Sequence, residues 1–409
     1  MIKNFQLSDK LKLFAEYSVY LFIIFLFMDK GETLRTVGIL VPSLLIFIRA
    51  IILKENPVNF KNPIFILVIC LCLSGIISSI FAPDTFYSLE WFKRTYLKLF
   101  LVFLTFVYLF QTPQMLEKLS KLFIFLAFLF TIFTFYDFYK EIVLYSNDFG
   151  KAVRKYFVPL EIFIPFILFY IAVQKTKYFK FVGFILLSIS IVAVILTGSR
   201  GGWISVGVSI LIWLIGYLYI TRKRILHILP IIGVIIISVS LLLIILSPFY
   251  VKQKFNQLLT GDTSLRKEMV WPIALKSYAN LSPINKIVGN GLGRMTYLED
   301  YRKLYINKFG KEPEELYSPH NVYLYTLYKQ GLLGLIIFIT LLYISLKNLI
   351  RGLKINQSSS MKFFALSLIS ALIALMAHGM VEDTRFIQWM LMLPLIGAYI
   401  EYLGNIKND

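Results

Sequence analysis

The clearest candidate for chemistry is the run Ser318-Pro319-His320-Asn321, which precedes a long apolar segment. Serine is a favoured helix N-cap and proline is favoured at the first helical position, so we expect His320 in the first turn of a helix. The positive end of the helix dipole disfavours the imidazolium, so a neutral His320 would be able to accept a proton. The alternative is a capping residue at a membrane boundary.

Two glycines, Gly331 and Gly334, follow in the same apolar segment. At about 100° per residue, Gly331 returns to within about 20° of the direction of His320. We therefore expect one helix face to carry a base at its outer end and a smooth groove below it. Such a groove would admit a neighbouring helix or a lipid chain, although an ordinary glycine packing face gives the same pattern.

A second candidate is the glycine-rich turn at 197–203, whose sequence is TGSRGGW. Glycines let backbone N–H groups converge on an anion, and Arg200 offers a planar fork of donors that matches phosphate oxygens. Ser199 precedes that arginine and is a supporting candidate. Because Gly and Arg are common at membrane interfaces, the turn alone is weakly informative.

A third candidate is the segment 262–267, DTSLRK, which predicts a capped start to a helix that runs through Trp271. Arg266 would lie in the first turns, near exposed N–H groups, which favour an anion. Taken alone, the segment favours the alternative, a solvated amphipathic helix on the membrane surface.

His378 forms a further polar group near the outer end of an apolar segment, four and five residues before Glu382 and Asp383. Ionisable residues within a membrane are functional candidates by default, and a structural polar pair is the alternative. The run VGNGLG at 288–293 superficially resembles a dinucleotide loop, but no alternating strand–helix unit surrounds it, so we interpret it as a turn. The sequence holds no P-loop, HExxH motif, Cys/His metal spacing or nucleophile elbow, so it predicts no metal and no cofactor.

The elements that must position these residues are transmembrane helices. Of the 409 residues, 58% are hydrophobic and 16% are charged. In soluble domains about a quarter of all residues are charged. The apolar residues form blocks of about twenty, the length that crosses roughly 30 Å of hydrocarbon. We predict twelve spans, near 12–28, 35–53, 62–82, 97–110, 119–139, 156–173, 179–197, 202–220, 228–248, 322–346, 363–380 and 386–403.

The basic residues predict the orientation of these spans. The net charge of +19 comes from residues between the apolar blocks, as in a topology signal, and does not indicate nucleic acid. Connectors rich in Lys and Arg alternate with less basic ones, and the basic set faces the cytoplasm. Both termini lie on the side of the basic set, so we predict that they are cytoplasmic. The chain then divides into spans 1–9 over residues 1–248, a large outer loop over 249–320, and spans 10–12 with a cytoplasmic C-terminus over 321–409.

The spacing of His320-Asn321, nine residues, then Gly331-Leu332-Leu333-Gly334 reproduces the His-[Asn/Ser/Gln]-x9-Gly-x-x-Gly pattern of O-antigen ligases. The chain thus resembles that family, which belongs to a wider membrane superfamily of O-antigen ligases and polymerases. The turn at 199–202 and the run from Arg266 through Trp271 to 291–293 also look like that superfamily. The resemblance covers the architecture over nearly the whole chain, and its specific motifs lie in about 190–335.

The resemblance implies an all-helical membrane glycosyltransferase of the C type (GT-C), with its large periplasmic loop between helices 9 and 10. Family members transfer polysaccharide from undecaprenyl pyrophosphate to a lipid A–core acceptor, at the periplasmic face of the inner membrane and without a metal. Carried over, Arg200 and Arg266 would clamp the pyrophosphate, and His320 would take the proton of the acceptor hydroxyl as it attacks C1. From position alone we add Arg154 and Arg94.

Two related activities and one different class stay open. An O-antigen or exopolysaccharide polymerase would use the same donor with a second lipid-linked glycan as acceptor, and a protein O-oligosaccharyltransferase belongs to the same group. The His-to-Gly spacing favours the ligase. A transporter of lipid-linked glycans would need polar groups along a midplane pathway and usually internal repeats, and the sequence shows neither.

Overall fold

The computed structural model describes the chain apart from residues 1, 29–30, 57–58, 141–156, 198, 223–228, 234–235, 237–269, 311, 314–317, 383–385 and 407–409. The regular elements of this described part are helical. The helices are α1 Ile2–Leu26, α2 Glu32–Leu53, α3 Pro63–Ile80, α4 Thr85–Phe92, α5 Lys98–Leu109, α6 Pro113–Phe138, α7 Phe157–Val173, α8 Lys177–Leu196, α9 Arg200–Thr221, α10 Trp271–Ala279, α11 Pro283–Val288, α12 Arg294–Phe309, α13 Val322–Ile355, α14 Ser359–Gly379 and α15 Phe386–Ile406. A π-helical turn, Lys93–Leu97, joins α4 to α5.

The long helices follow the apolar blocks of the sequence. Eleven of the twelve predicted spans coincide with a helix, and the ninth, 228–248, lies mostly outside the described residues. Eight helices in the described part are long and apolar enough to cross a membrane, namely α2, α3, α6, α8, α9, α13, α14 and α15. The helical, multi-span fold is thus confirmed, and the count of twelve spans stays a prediction.

The described residues form two compact units. The first comprises Met1–Gln111, Thr263–Lys347 and Gly379–Asp409, and the second comprises Thr112–Asp262 and Asn348–His378. The boundaries cut through α13 after Lys347, in the last third of the helix, and through α14 at its end. This division differs from the predicted division at 248 and 320, which followed the loops.

Close helix packing holds the first unit together. A Cβ added at Gly38 of α2 would lie 2.9 Å from the backbone nitrogen of Phe22 in α1. A Cβ added at Gly397 of α15 would lie 2.4 Å from the ring of Phe103 in α5. These small residues let neighbouring helices approach closely, as is usual inside membranes.

Aromatic side chains fill the core of the second unit. The rings of Phe123 in α6 and Phe163 in α7 stack with centroids 5.3 Å apart. Trp213 of α9 is almost fully buried, and its indole N–H donates a 3.2 Å hydrogen bond to the Ser367 hydroxyl of α14. Buried aromatic rings of this kind supply much of the packing area between helices.

Helix α13 is broken at Gly331, whose φ is 66° and ψ is −169°. The break releases the carbonyls of Tyr328 and Lys329 from the helical ladder, and the backbone of the 288–293 turn satisfies them. Asn290 N–H donates to Tyr328 O at 3.0 Å, and Gly291 N–H donates to Lys329 O at 3.2 Å. The turn therefore completes the helix across its break, because buried carbonyls require partners.

Candidate functional site

A cavity of about 630 Å³ lies within the first unit. Its wall includes four cationic and two acidic side chains, which are Arg35, Arg94, Lys98, Lys329, Glu32 and Glu382. Apolar residues such as Leu71, Phe338 and Leu393 form another part of the wall. A cavity that joins an excess of positive charge to an apolar wall suits an anion carried on a lipid.

The π-helical turn shapes one side of the cavity. Trp91, Arg94, Thr95 and Lys98 follow helical spacing and line the cavity together, and the wider turn adds Tyr96 to the same side. π-helical turns occur frequently at functional sites. Arg94, a residue proposed from its position alone, is thus a cavity residue, and its guanidinium also bonds the Glu90 carboxylate at 2.9 Å.

His320 lies at the edge of this cavity through its contact with Glu382. Its Nδ1 is 2.5 Å from Oε1 of Glu382, a cavity residue, and both side chains are partly exposed. The expectation that His320 sits in the first helical turn is wrong. It occupies a bend before α13 with a φ of 47°, a left-handed conformation that is uncommon for a side-chain-bearing residue.

Asn321 explains why the helix begins after His320. Its side-chain oxygen accepts hydrogen bonds from the N–H groups of Tyr323 and Leu324, both at 3.0 Å. Asn321 is therefore the N-cap that the sequence assigned to Ser318, and α13 starts at Val322. Its amide also donates to the carbonyl of Met380 at 3.0 Å, two residues before Glu382. This hydrogen bond therefore links the segment that carries His320 to the segment that carries Glu382.

The two motif glycines pack against protein. A Cβ at Gly331 would lie 2.2 Å from the carbonyl oxygen of Ile287, and a Cβ at Gly334 would lie 2.2 Å from Cβ of Gln330. The expectation that Gly331 shares a continuous helix face with His320 is wrong, because His320 precedes the helix and Gly331 breaks it. Both glycines are buried, so close packing rather than a lipid-facing groove accounts for them.

Gln330 connects the break in α13 to the cavity wall. This fully buried side chain donates to the Ser74 hydroxyl at 3.1 Å and to the Leu71 carbonyl at 3.3 Å, both in α3. The Tyr96 hydroxyl of the π-helical turn donates to its carbonyl oxygen at 2.9 Å. The glycine at 334 leaves the space that this side chain occupies.

His378 does not pair with its sequence neighbours. Its Nδ1 lies 2.9 Å and 3.0 Å from the two carboxylate oxygens of Glu161 in α7, within the second unit. Both side chains are almost fully buried, at 2% and 0% exposure, so they form a structural polar pair in a membrane helix bundle. The predicted cluster of His378 with Glu382 is wrong, since Glu382 bonds His320; Asp383 lies outside the described residues.

The other predicted arginines are not tested by this geometry. Arg200 is the first residue of α9 in the second unit, where Ser199 accepts a 3.2 Å hydrogen bond from Gly202 N–H as the N-cap. The side chain of Arg200 lies outside the described atoms, as do the whole of Arg266 and Arg154. Their role at the pyrophosphate stays a prediction.

The sequence analysis missed five of the six charged cavity residues. Glu382 was considered only beside His378, and Glu32, Arg35, Lys98 and Lys329 were not considered as site residues. Lys98 offered a signal, since it lies four residues after Arg94 and thus on the same helix face. Lys329 offered one as well, being a cation in an apolar span beside the glycine pattern.

The arrangement is suited to moving a proton at the edge of a charged cavity. A carboxylate on Nδ1 holds the imidazole in the tautomer whose Nε2 accepts a proton, and it stabilises the imidazolium that results. The cations of the wall can stabilise negative charge that develops beside that base.

Comparison with known proteins finds a family match over the part of the chain that contains His320. Residues 184–339 match the family model described as O-antigen ligase. The match includes the larger part of α8, all of α9, the 288–293 turn, His320 and both motif glycines. No curated protein shows significant sequence similarity to the chain.

Proposed function

We propose that this chain, whose residues 184–339 match the O-antigen ligase family model, transfers polysaccharide from undecaprenyl pyrophosphate to a lipid A–core acceptor. The family supports a ligase or polymerase activity on lipid-linked glycans, and the acceptor and the periplasmic location are our inference. The observation that carries the proposal is the His320–Glu382 pair at the edge of a cavity with four cationic side chains and an apolar wall.

His320 acts as the general base in this reaction. Its Nε2 takes the proton of the acceptor hydroxyl while the hydroxyl oxygen attacks C1 of the donor sugar. The bond from C1 to the diphosphate oxygen breaks, and its electron pair leaves with the diphosphate. Glu382 accepts the Nδ1–H hydrogen bond and stabilises the imidazolium. Positioned general-base catalysis of this kind contributes roughly 10²–10⁴-fold.

Fixed cations stabilise the leaving diphosphate. Arg94 lies in the cavity wall and offers a guanidinium fork that matches phosphate oxygens. We assign the same role to Arg200 and Arg266, which carry the family pattern. The apolar residues of the wall would contact the polyprenyl chain. A donor that is already activated needs no ATP, which suits a reaction outside the cytoplasm.

Purified enzyme with lipid-linked glycan and acceptor tests the base. We expect His320→Ala to lower kcat by roughly 10²–10⁴-fold with donor binding retained, and Glu382→Gln to lower it by a smaller factor. The matched control is Glu312→Gln, in the outer segment, where a hydrogen bond from Arg302 holds the pKa of the carboxyl below its usual value. His320→Ala turning over at the wild-type rate would remove His320 from the mechanism.

The polymerase is the second candidate, because it would use the same donor cavity. Deletion of the gene, followed by electrophoresis of lipopolysaccharide, separates the two. Bare core with accumulation of long undecaprenyl-linked glycan supports the ligase. Core that bears single repeats supports the polymerase instead.

A further inference from the structure

One face of the first half of α13 lines the cavity. It carries Val322, Tyr325, Thr326, Lys329 and Gln330, which follow the i, i+3, i+4, i+7, i+8 spacing of a single helix face. Of these five side chains, Lys329 alone is charged. A charged side chain within a membrane span is costly and usually serves a function, so we expect Lys329 to have a functional role.

The backbone and the side chain of Lys329 are both held in place. Its carbonyl accepts hydrogen bonds from Gly291 N–H, at 3.2 Å, and from the Ser78 hydroxyl. Its ammonium lies 3.7 Å from the centre of the Tyr325 ring, a cation–π contact one turn earlier on the same face. A cation held in this way needs little reorganisation when a negative charge arrives.

Lys329 lies deeper along α13 than His320. The helix begins at Val322, and the seven residues to Lys329 span roughly 10 Å along the axis. A glycosyl diphosphate that presents its C1 carbon to His320 would extend its second phosphate toward Lys329. Beyond that phosphate the lipid chain would meet the apolar wall.

Further cations line the same cavity as Lys329. The bond from Tyr96 to Gln330 brings the π-helical turn next to the break in α13. Lys98, one helical turn after Arg94, interacts electrostatically with Glu32 and Arg35 of α2 and with Arg94. The wall of the cavity where the diphosphate would lie therefore carries an excess of positive charge, with four cationic and two acidic side chains.

We propose that Lys329 binds the leaving diphosphate of the donor at the phosphate next to the lipid, and that Tyr325 positions its ammonium. The proposal rests on the proposed function, because it assigns a contact within that reaction. No proton moves in this contact; the ammonium neutralises part of the charge that the diphosphate gains when the C1–O bond breaks. The family pattern leaves position 329 unspecified, so the assignment comes from the cavity.

The test compares Lys329→Met, which keeps the side-chain length, with Lys329→Arg, which keeps the charge. The matched control is Lys308→Met, because Lys308 lies over the Phe309 ring at 5.0 Å on the outer helix α12. Binding of undecaprenyl pyrophosphate to the full-length protein in detergent is followed by tryptophan fluorescence, since Trp91 and Trp389 line the cavity. We expect Lys329→Met to weaken binding by about 10- to 100-fold, as for the loss of a charge-assisted hydrogen bond. Lys329→Arg should stay within a few-fold of wild type, and Lys308→Met should not differ.

Unchanged binding by folded Lys329→Met would overturn the proposal. If that variant does not fold, Tyr325→Leu provides the second test, because it retains the charge of Lys329 and removes the ring that supports it. We expect about two- to five-fold weaker binding, as for a partly exposed cation–π contact. Wild-type affinity of Tyr325→Leu would count against the proposal. The binding assay needs neither acceptor nor turnover. Wild-type protein that binds undecaprenyl pyrophosphate but transfers no glycan would therefore contradict the proposed function alone.

Discussion

Replacing Gly331 with alanine should destabilise the protein by about 2–6 kcal/mol, from two sources. The backbone at φ 66° and ψ −169° lies in a region that essentially only glycine occupies, which costs a side chain of order 1–3 kcal/mol. The new Cβ would also lie 2.2 Å from the Ile287 oxygen and 2.6 Å from the Gly289 nitrogen. These are backbone atoms that cannot swing aside, and overpacking typically adds about 1–3 kcal/mol.

Gly310→Ala is the matched control for this substitution. Gly310 also has a positive φ, 69°, but a Cβ there would meet nothing within 4 Å. It therefore isolates the conformational penalty, roughly 1–2 kcal/mol. Thermal unfolding of the purified variants in detergent, followed by intrinsic fluorescence, measures both changes under one set of conditions. Gly331→Ala should show the larger loss of stability. It should also weaken donor binding, because the turn that packs against Gly331 also holds the backbone carbonyl of Lys329 through Gly291 N–H.

Equal shifts for the two variants would refute the reasoning, because they would mean that the 287–291 backbone does not press against position 331. A fully stable Gly331→Ala would also refute the broken helix itself.

Two further predictions concern Asn321 and the buried pair of the second unit. Asn321→Ala should cost about 1 kcal/mol of stability and lower turnover with donor binding retained. Asn321→Ser keeps a capping oxygen, so it should recover the stability but not the contact with Met380. Steady-state kinetics and thermal unfolding measure turnover and stability, and turnover that follows stability alone would contradict a positioning role. His378→Phe and Glu161→Leu should each destabilise by about 3–5 kcal/mol because each strands a buried partner, while the double variant should lose less than the two single losses combined. Strict additivity in that cycle would show that the pair does not interact.

The sequence predicted the long helices well because their signal is local. Most apolar blocks are long enough to cross a bilayer, and in hydrocarbon a helix satisfies its backbone groups within the segment. The motif around His320 was also found from sequence, since its spacing is a local pattern. The helical fold could thus be derived without any knowledge of which helices touch.

The site could not be predicted to the same depth because it depends on contacts between distant segments. His320 and Glu382 are 62 residues apart, and sequence proximity suggested His378 as the partner of Glu382 instead. The angular argument for Gly331 assumed an unbroken helix, whereas a turn more than thirty residues upstream in the chain occupies the break. The cap moved from Ser318 to Asn321 because Asn321 reaches two N–H groups. The pairing of His320 with Glu382 and the break at Gly331 therefore leave no pattern in the local sequence.

The turn that completes α13 has a consequence for protein engineering. Besides its contacts with α13, the turn is anchored by serines near the end of α3 and in α4: Ser78 accepts a hydrogen bond from Gly291 N–H and Ser88 accepts one from Leu292 N–H. A graft of residues 249–320 from a relative should therefore carry positions 78, 88 and 331 with it, so that the turn stays anchored and the carbonyls of α13 keep their partners.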